Sequence, residues 1–430
     1  MAIVGAFCFP GTGHLNPMTA LARRLQQREH RVVIFGIADT EARVRSAGIK
    51  FWQVGQEDYP LGTLRQLDEK LSRLKGLNTF RFTVERVKNH SRMVLRDGPP
   101  AVKATGVEAL LVDEADMAGS VAEFLRLPFV SIACFPPLLR DDTIPPFCFG
   151  WRYSTGWMSR LRNRFGAALL SRFAAPIFEL VNAQRKTWQL APLGHSTEAL
   201  SPLAQIHSCR RLSNFRWPID RLGCITRGHS WMANFASRSH FPGTSSTVGR
   251  WCMAPSAPYR MDRSTSFKQL PKLILVLDAQ LVLSLGGSKD PAELGNLPGH
   301  PVMVRYAPQL QILKRAAAVI THAGLNTTLE SLAEGVPLVA IPVGNDQPGV
   351  AARIEHHQAG IVVPLRKLTV KRLRGAIDAV LRNEIYCSAA KRLQTEICKV
   401  DGLEMATDII ENSLSLREFK RSARLWFGIA

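Results

Sequence analysis

The chain lacks the features that would place it across a membrane or in a disulfide-built or metal-finger class. No uncharged apolar stretch reaches the ~18 residues that span a bilayer. The longest candidate, residues 273–285, is interrupted by Asp278 and Gln280. The 8 cysteines are sparse for 430 residues, form no Cys-x-x-Cys pair and stand at no finger spacing from a histidine. They read as ordinary thiols of a reducing compartment. No basic region precedes the first apolar run, so the N-terminus is not a usual signal peptide, and a cytoplasmic location is expected. There is no Gly-x4-Gly-Lys-Ser/Thr loop, no Asp-x-Asp and no visible cluster of metal ligands, so no metal or other cofactor is expected. Acid is in short supply: 35 Asp and Glu face 55 Lys and Arg, a net charge of +20 and a pI near 10.1. That balance favours anionic partners without choosing among them.

What is present is a large core. A hydrophobic fraction of 46% with 21% charged residues is that of a globular protein, and the length suits two domains. Residues 3–9 are a short apolar run ending at Pro10-Gly11-Thr12-Gly13. Asn16 is then a good helix N-cap and Pro17 suits a first helical position. Met18, Leu21, Ala22 and Leu25 follow as one apolar helical face. Residues 31–37 give the next strand, and Asp39 or Thr40 caps a helix that stops at Gly48. A strand at 109–112, a helix at 117–125 and a strand at 128–133 continue the alternation, which argues for a parallel sheet wrapped by helices. The last third repeats it. Strands are expected at 302–305, 317–321, 337–341 and 360–363. Helices are expected at 309–314, 326–334 and 348–357, with Asn326 as N-cap, and a helical tail follows from Thr369.

Residues 306–347 carry the most chemistry. They read as a strand ending at Thr321-His322, a tight Ala323-Gly324 turn and a helix starting near Asn326. A helix N-terminus offers free N–H groups and a positive dipole end, which suits an anion. His322, Asn326 and Thr327 add donors fit to hold a diphosphate. Glu330, one turn on, can accept from ribose hydroxyls, and Tyr306 offers a flat face to a base. The plainer reading is an ordinary strand-turn-helix with a core histidine.

Together Ala307-Pro308-Gln309, Thr321-His322, Gly324, Asn326-Thr327, Glu330, Gly335-Val336-Pro337, Pro342 and Asp346-Gln347 resemble the nucleotide-sugar signature of family 1 glycosyltransferases. The resemblance implies an α/β fold of two facing Rossmann-like domains (GT-B architecture), with a UDP-sugar donor on the second. Carried over, Tyr306 would stack on the uracil, where Trp is frequent, and Gln309 would touch base or ribose. Glu330 would hold the ribose, and His322, Asn326 and Thr327 the diphosphate around Gly324. Asp346 and Gln347 would take the sugar hydroxyls. Phe9-Pro10-Gly11-Thr12-Gly13-His14-Leu15-Asn16-Pro17 is similar to the family's acceptor-side loop, whose histidine is the general base. An imidazole can take a hydroxyl proton at neutral pH, and loops at the carboxyl ends of such strands bind ligands. The plainer reading is that His14 only caps the next helix. The family's acid that orients this histidine would be Asp113, with Glu114 and Asp116 as rivals. Asp113-Glu114-Ala115-Asp116 also spells a helicase box, but the ATP loop it needs is missing, so that reading is rejected. A nucleic-acid binder, suggested only by the charge of +20, is a rival reading, and no nucleic-acid partner is expected.

Residues 201–206 and 346–354 resemble the zeaxanthin glucosyltransferase branch, which implies a hydrophobic hydroxylated acceptor, carotenoid-like. Residues 151–188 mix Trp and Phe with arginine. Packing of an amphipathic helix on its own domain is the favoured reading, with peripheral contact to an anionic membrane as the other. The resemblance stops after Ile206 and resumes near Asp278. Residues 207–270 hold ten Lys and Arg against Asp220 and Asp262, and no Glu occurs between Glu198 and Glu293. No strand of the expected kind is legible there. The expected organisation is therefore an acceptor domain at 1–206, an aberrant or disordered segment at 207–270, a donor domain at 271–400 and a helical tail at 401–430. The expected activity is an inverting hexosyl transfer, impaired by the altered centre. The alternative is a non-catalytic or decayed nucleotide-sugar binder of the same fold.

Overall fold

The computed structural model describes residues 1–74, 76–136, 138, 141–207, 222–224, 250–255, 279–285, 290–294, 300–305 and 307–416. The first half runs β1 (Ile3–Phe7), α1 (Thr12–Gln27), β2 (Arg31–Gly36), α2 (Ala38–Ser46), β3 (Lys50–Gln53), α3 (Thr63–Arg73), α4 (Leu77–Thr105), β4 (Ala109–Asp113), α5 (Ala118–Leu125), β5 (Phe129–Ala133), α6 (Trp157–Thr187), β6 (Gln205–His207) and β7 (Leu222–Cys224). All seven strands pair in parallel in the order β3-β2-β1-β4-β5-β6-β7. Strands of a parallel sheet covered on both faces read as unbroken apolar runs, as Val32 to Phe35 and Ala109 to Val112 do. One face packs Met18, Leu21 and Leu25 of α1; the other packs Met93, Val94 and Val102 of α4.

The second half runs β8 (Arg250–Pro255), β9 (Ala279–Ser284), β10 (Val302–Val304), α7 (Gln309–Leu313), β11 (Ala316–Thr321), α8 (Leu325–Ala333), β12 (Leu338–Ala340), α9 (Gln347–His356), β13 (Gly360–Val362), α10 (Val370–Arg382), α11 (Glu384–Cys398) and α12 (Gly402–Ser413). Its strand order is β10-β9-β8-β11-β12-β13, again parallel. In each sheet the order reverses beside the first strand, between β1 and β4 and between β8 and β11. Ligands bind at such switch points, beyond the carboxyl ends of the strands.

Three expectations change. The stretch 207–270, read as lacking a strand, contributes β7 to the first sheet and β8 to the middle of the second. Trp251-Cys252-Met253-Ala254 is an apolar run long enough for a strand, but without the Val and Ile that advertise one. Apart from His207, β7 and β8, that stretch lies outside the described residues. Second, α1 starts at Thr12 with Gly11 as N-cap, so Asn16 is no cap and Pro17 lies inside the helix. Third, α12 returns to the first domain. Its Ala406 and Ile410 join the core with Met18 and Leu21, while Arg28, the C-cap of α1, bonds Asp408 and Glu411, each at 2.8 Å.

Candidate active site

The first-sheet switch point brings His14 and Asp113 together. Asp113 is the last residue of β4 and fully buried; His14 lies in the first turn of α1 with 22% of its side chain exposed. The His14 Nδ1 to Asp113 Oδ2 distance is 2.5 Å. Asp113 also accepts from the backbone N–H of Phe9 at 3.2 Å and of Ala115 at 3.1 Å. These bonds fix the carboxylate and leave Nε2 as the free nitrogen of His14. Burial alone would favour the neutral imidazole. The Asp113 charge and hydrogen bond, with Asp346 and Asp116 further off, outweigh it and raise the His14 pKa above its ordinary value.

The rivals of Asp113 have other partners. Asp116 bonds buried His90 at 2.7 Å and the N–H of Ala118 at 2.8 Å. Glu114 accepts from the N–H of Leu138 at 3.2 Å and faces His207 at 3.6 Å. Burial pushes Glu114 up to about 8 and His207 down to about 4, so both are neutral at pH 7. One cluster was not legible in the sequence: ligand atoms of His14, Asp113 and Cys134 lie within 4.8 Å of one another. This corrects the expectation that the chain holds no clustered ligand set. Burial and the nearby Asp113 push the Cys134 thiol well above its usual value, and the thiol donates to the His14 carbonyl at 3.5 Å. The cluster thus holds a protonated thiol rather than the thiolate that soft metals bind.

On the second sheet, β11 ends at Thr321 and α8 begins at Leu325 with Gly324 as N-cap, so Asn326 lies inside the first turn rather than at the cap. Ala323, not Gly324, takes the left-handed conformation, with φ 64°. Gly324 is needed for room: a Cβ there would lie 2.5 Å from His322 Nε2. Burial lowers His322 to about 4, and its Nδ1 is buried without a hydrogen-bond partner. Any bond it makes to a diphosphate is therefore that of a neutral imidazole. Gln309 donates to Thr327 Oγ1 at 3.3 Å and to Glu330, joining three expected donor-site residues in one chain of bonds. Burial pushes Glu330 up to about 7 and Asp346 up to about 6, the latter opposed by the charges of His14 and Arg353. Gln347 spends its carbonyl oxygen on the N–H groups of Val343 and Gly344, at 2.9 and 3.0 Å, leaving only its amide NH2 for a sugar. Tyr306 lies outside the described residues.

The two switch points face each other. Asn326 Nδ2 donates to the carbonyl of Gly13 at 3.1 Å. In a regular helix the N–H of residue 17 would use that carbonyl; Pro17 has none, so the bond crosses between the domains instead. Nearby, a Cβ on Gly349 would lie 1.8 Å from the Phe147 carbonyl, so α9 approaches the first domain as only glycine permits.

The UDP-glucoronosyl and UDP-glucosyl transferase family matches residues 273–401. The zeaxanthin glucosyltransferase of Pantoea ananas is 28% identical over 422 residues, 96% of either chain. Along its length the chain is similar to the family 1 glycosyltransferases. It therefore moves a sugar from a nucleotide-sugar donor to an acceptor. The glycosyltransferase of kitacinnamycin shares its GT-B fold, with a TM-score of 0.71 and 20% identity over 96% of this chain and 98% of that one. A spinosyn rhamnosyltransferase complexed with thymidine diphosphate gives 0.67 and 18% identity over 96% and 99%. Among the described residues of the glycosyltransferase, no helix is long and apolar enough to cross a membrane.

Aromatic rings extend away from the base. Phe9 and Phe135 flank His14 with centroids at 5.6 and 5.9 Å; Phe147 meets Phe135 at 5.4 Å; Phe149 stacks on Trp151 at 4.1 Å. The sequence reading missed Phe135, Phe147 and Phe149. They stand far from His14 in sequence, and no spacing rule ties them to it.

Proposed function

We propose that the enzyme transfers a hexose from a UDP-sugar, with inversion, to a hydroxyl of a hydrophobic acceptor of the carotenoid kind. His14 Nε2 takes the acceptor proton as the oxygen bonds to the anomeric carbon. The bond from that carbon to the diphosphate breaks on the opposite face, and UDP leaves with the electron pair. Asp113 holds the imidazole in the tautomer with Nε2 free and balances the imidazolium that forms. The N–H groups at the start of α8, with Asn326, Thr327 and neutral His322, take up the charge on the leaving diphosphate. Glu330 and Gln309 serve the ribose, Asp346 and the Gln347 amide the sugar, and Tyr306 the base. No metal or other cofactor is invoked.

The observation that carries this reading is the 2.5 Å His14–Asp113 pair, joined to the donor helix by the Asn326–Gly13 bond. The acceptor class is supported by the printed activity of the Pantoea ananas relative and by the aromatic run beside His14. Nothing favours the decayed alternative: β8 fills the middle of the second sheet, and the base and its acid are paired. The test is product analysis with UDP-glucose and zeaxanthin, using the wild type and His14→Ala. A β-glucoside is expected, with turnover falling by ~10²–10⁴ in the variant. An α-linked product, or a loss below tenfold, overturns the mechanism. Turnover confined to small polar acceptors overturns the acceptor class.

A further inference from the structure

Helix α6 buries large apolar side chains along only half its length. Its C-terminal half buries Ile177, Val181 and Arg185, the last bonded to Ser120, Glu123 and the Ala191 carbonyl. In the N-terminal half only Asn163 and Gly166 are buried. Trp157, Leu161, Phe165 and Leu169 recur at every fourth residue there, hence along one stripe, and they are exposed by 73, 60, 68 and 38%; Met158, at 68%, widens the stripe. Five of the eleven exposed large hydrophobic residues among the described residues thus sit on a few turns of one helix. A monomer in water has no use for such a contiguous patch.

The surrounding charge selects the partner. No Asp or Glu occurs between Asp142 and Glu179, while Arg152, Arg160, Arg162, Arg164 and Arg172 all do. Asp142 pairs with Arg160 and Arg164, at 3.0 and 2.6 Å. Arg162 lies over the Trp151 ring at 5.0 Å. Arg152, 87% exposed in its side chain, has Glu355 only at 4.0 Å, and Arg172 is exposed. An apolar stripe bordered by arginine, on a chain of net charge +20, complements a surface with anionic headgroups over hydrocarbon.

We propose that the N-terminal half of α6 docks the enzyme on an anionic phospholipid bilayer and that the acceptor enters from there. Two aromatic pairs mark the route: the Trp151 ring lies against Gly166 of α6, where a Cβ would stand 2.7 Å from it, and stacks on Phe149, while Phe147, two residues before Phe149 in the chain, meets Phe135 beside His14. The entry route rests on the acceptor reading above; the docking does not.

The test is co-sedimentation of the full chain with vesicles of phosphatidylcholine alone and of phosphatidylcholine with 30% phosphatidylglycerol. Two variants accompany it, Leu161→Glu/Phe165→Glu and Arg152→Glu/Arg172→Glu, all four positions being exposed and outside the catalytic site. The wild type is expected to bind the anionic vesicles and to release at 1 M salt, where the screening length falls to ~3 Å. The apolar variant should lose at least about tenfold in binding, and the arginine variant about fivefold or more for each charge removed. Both should keep turnover on a water-soluble phenol without vesicles. Unchanged binding in both variants, or equal binding to neutral vesicles, overturns the docking. So does a salt-insensitive dimer that the apolar variant dissociates, because the face then covers a second copy. Docking without transfer to vesicle-borne carotenoid leaves the surface standing and overturns the entry route.

Discussion

Replacing Asp113 by Asn tests the base assignment most directly, because the pair's surroundings fix what the amide must do. The carboxylate is fully buried and accepts from His14, Phe9 N–H and Ala115 N–H. An amide has one oxygen. If its NH2 points towards His14, it also meets the N–H of Phe9; if turned over, it meets the N–H of Ala115. In either pose one buried donor loses its acceptor, which costs about 1–3 kcal/mol of stability. In the first pose the NH2 donates to His14 Nδ1, so the imidazole carries its proton on Nε2, where the acceptor proton must go. A loss of ~10²–10⁴ in kcat/KM follows, since the general base is then in the wrong tautomer.

The pH profile separates this from mere destabilisation. A general base works when neutral, so kcat/KM falls as pH drops through the pKa of His14 in the free enzyme. Asp113 is the main influence raising that pKa, against burial, which lowers it. Removing the charge leaves burial opposed only by Asp346 and Asp116, so the acid limb should move to lower pH. The assay is initial rate against pH from 5 to 9, under first-order conditions in acceptor, at a temperature where both proteins are folded. An acid limb that stays or moves up, or a rate loss below tenfold, refutes the reasoning. A structural Asp113 would change the amount of folded enzyme and leave the limb where it was.

The sequence and the fold agree where the signal is local. Strand runs such as Val32 to Phe35, helices with one apolar face and the motif around His322 are readable because neighbours along the chain carry the pattern. The exception at α1 is instructive. Asn16-Pro17 is a good start signal, yet the helix begins at Thr12. The missing N–H of Pro17 is tolerated because the carbonyl it leaves unbonded has a partner in the other domain, and that partner is invisible from the first domain's sequence. Long-range choices were equally hidden. The apolar face of α12 is plain, but which domain it covers depends on Arg28 and His30, nearly the whole chain away. The N-terminal half of α6 looked like packing surface; Trp151 does lie against it at Gly166 and the Asp142 carbonyl accepts from Asn163, but Trp157, Leu161 and Phe165 are exposed, and which face of a helix meets its neighbours is not written in the helix alone.

Asp346→Ala should lower turnover with UDP-sugar about tenfold or more while leaving UDP affinity, read by calorimetry, nearly unchanged; equal loss of both would place Asp346 on the diphosphate instead. Pro17→Ala restores an N–H that competes for the Gly13 carbonyl. Alanine is about 3 kcal/mol better than proline in a helix interior, so the thermal midpoint should rise. The Asn326 bond to the same carbonyl should weaken by some part of a hydrogen bond's net worth, about 0.5–1.5 kcal/mol. Pro17→Ala, Asn326→Ala and the double variant therefore form a cycle, read as UDP affinity. If the carbonyl freed by Pro17 is what ties the donor helix to the base loop, the effects are non-additive by about that amount, because Asn326→Ala removes the bond that Pro17→Ala weakens. Strict additivity would mean that Pro17 and Asn326 act separately and that the helix break serves α1 alone.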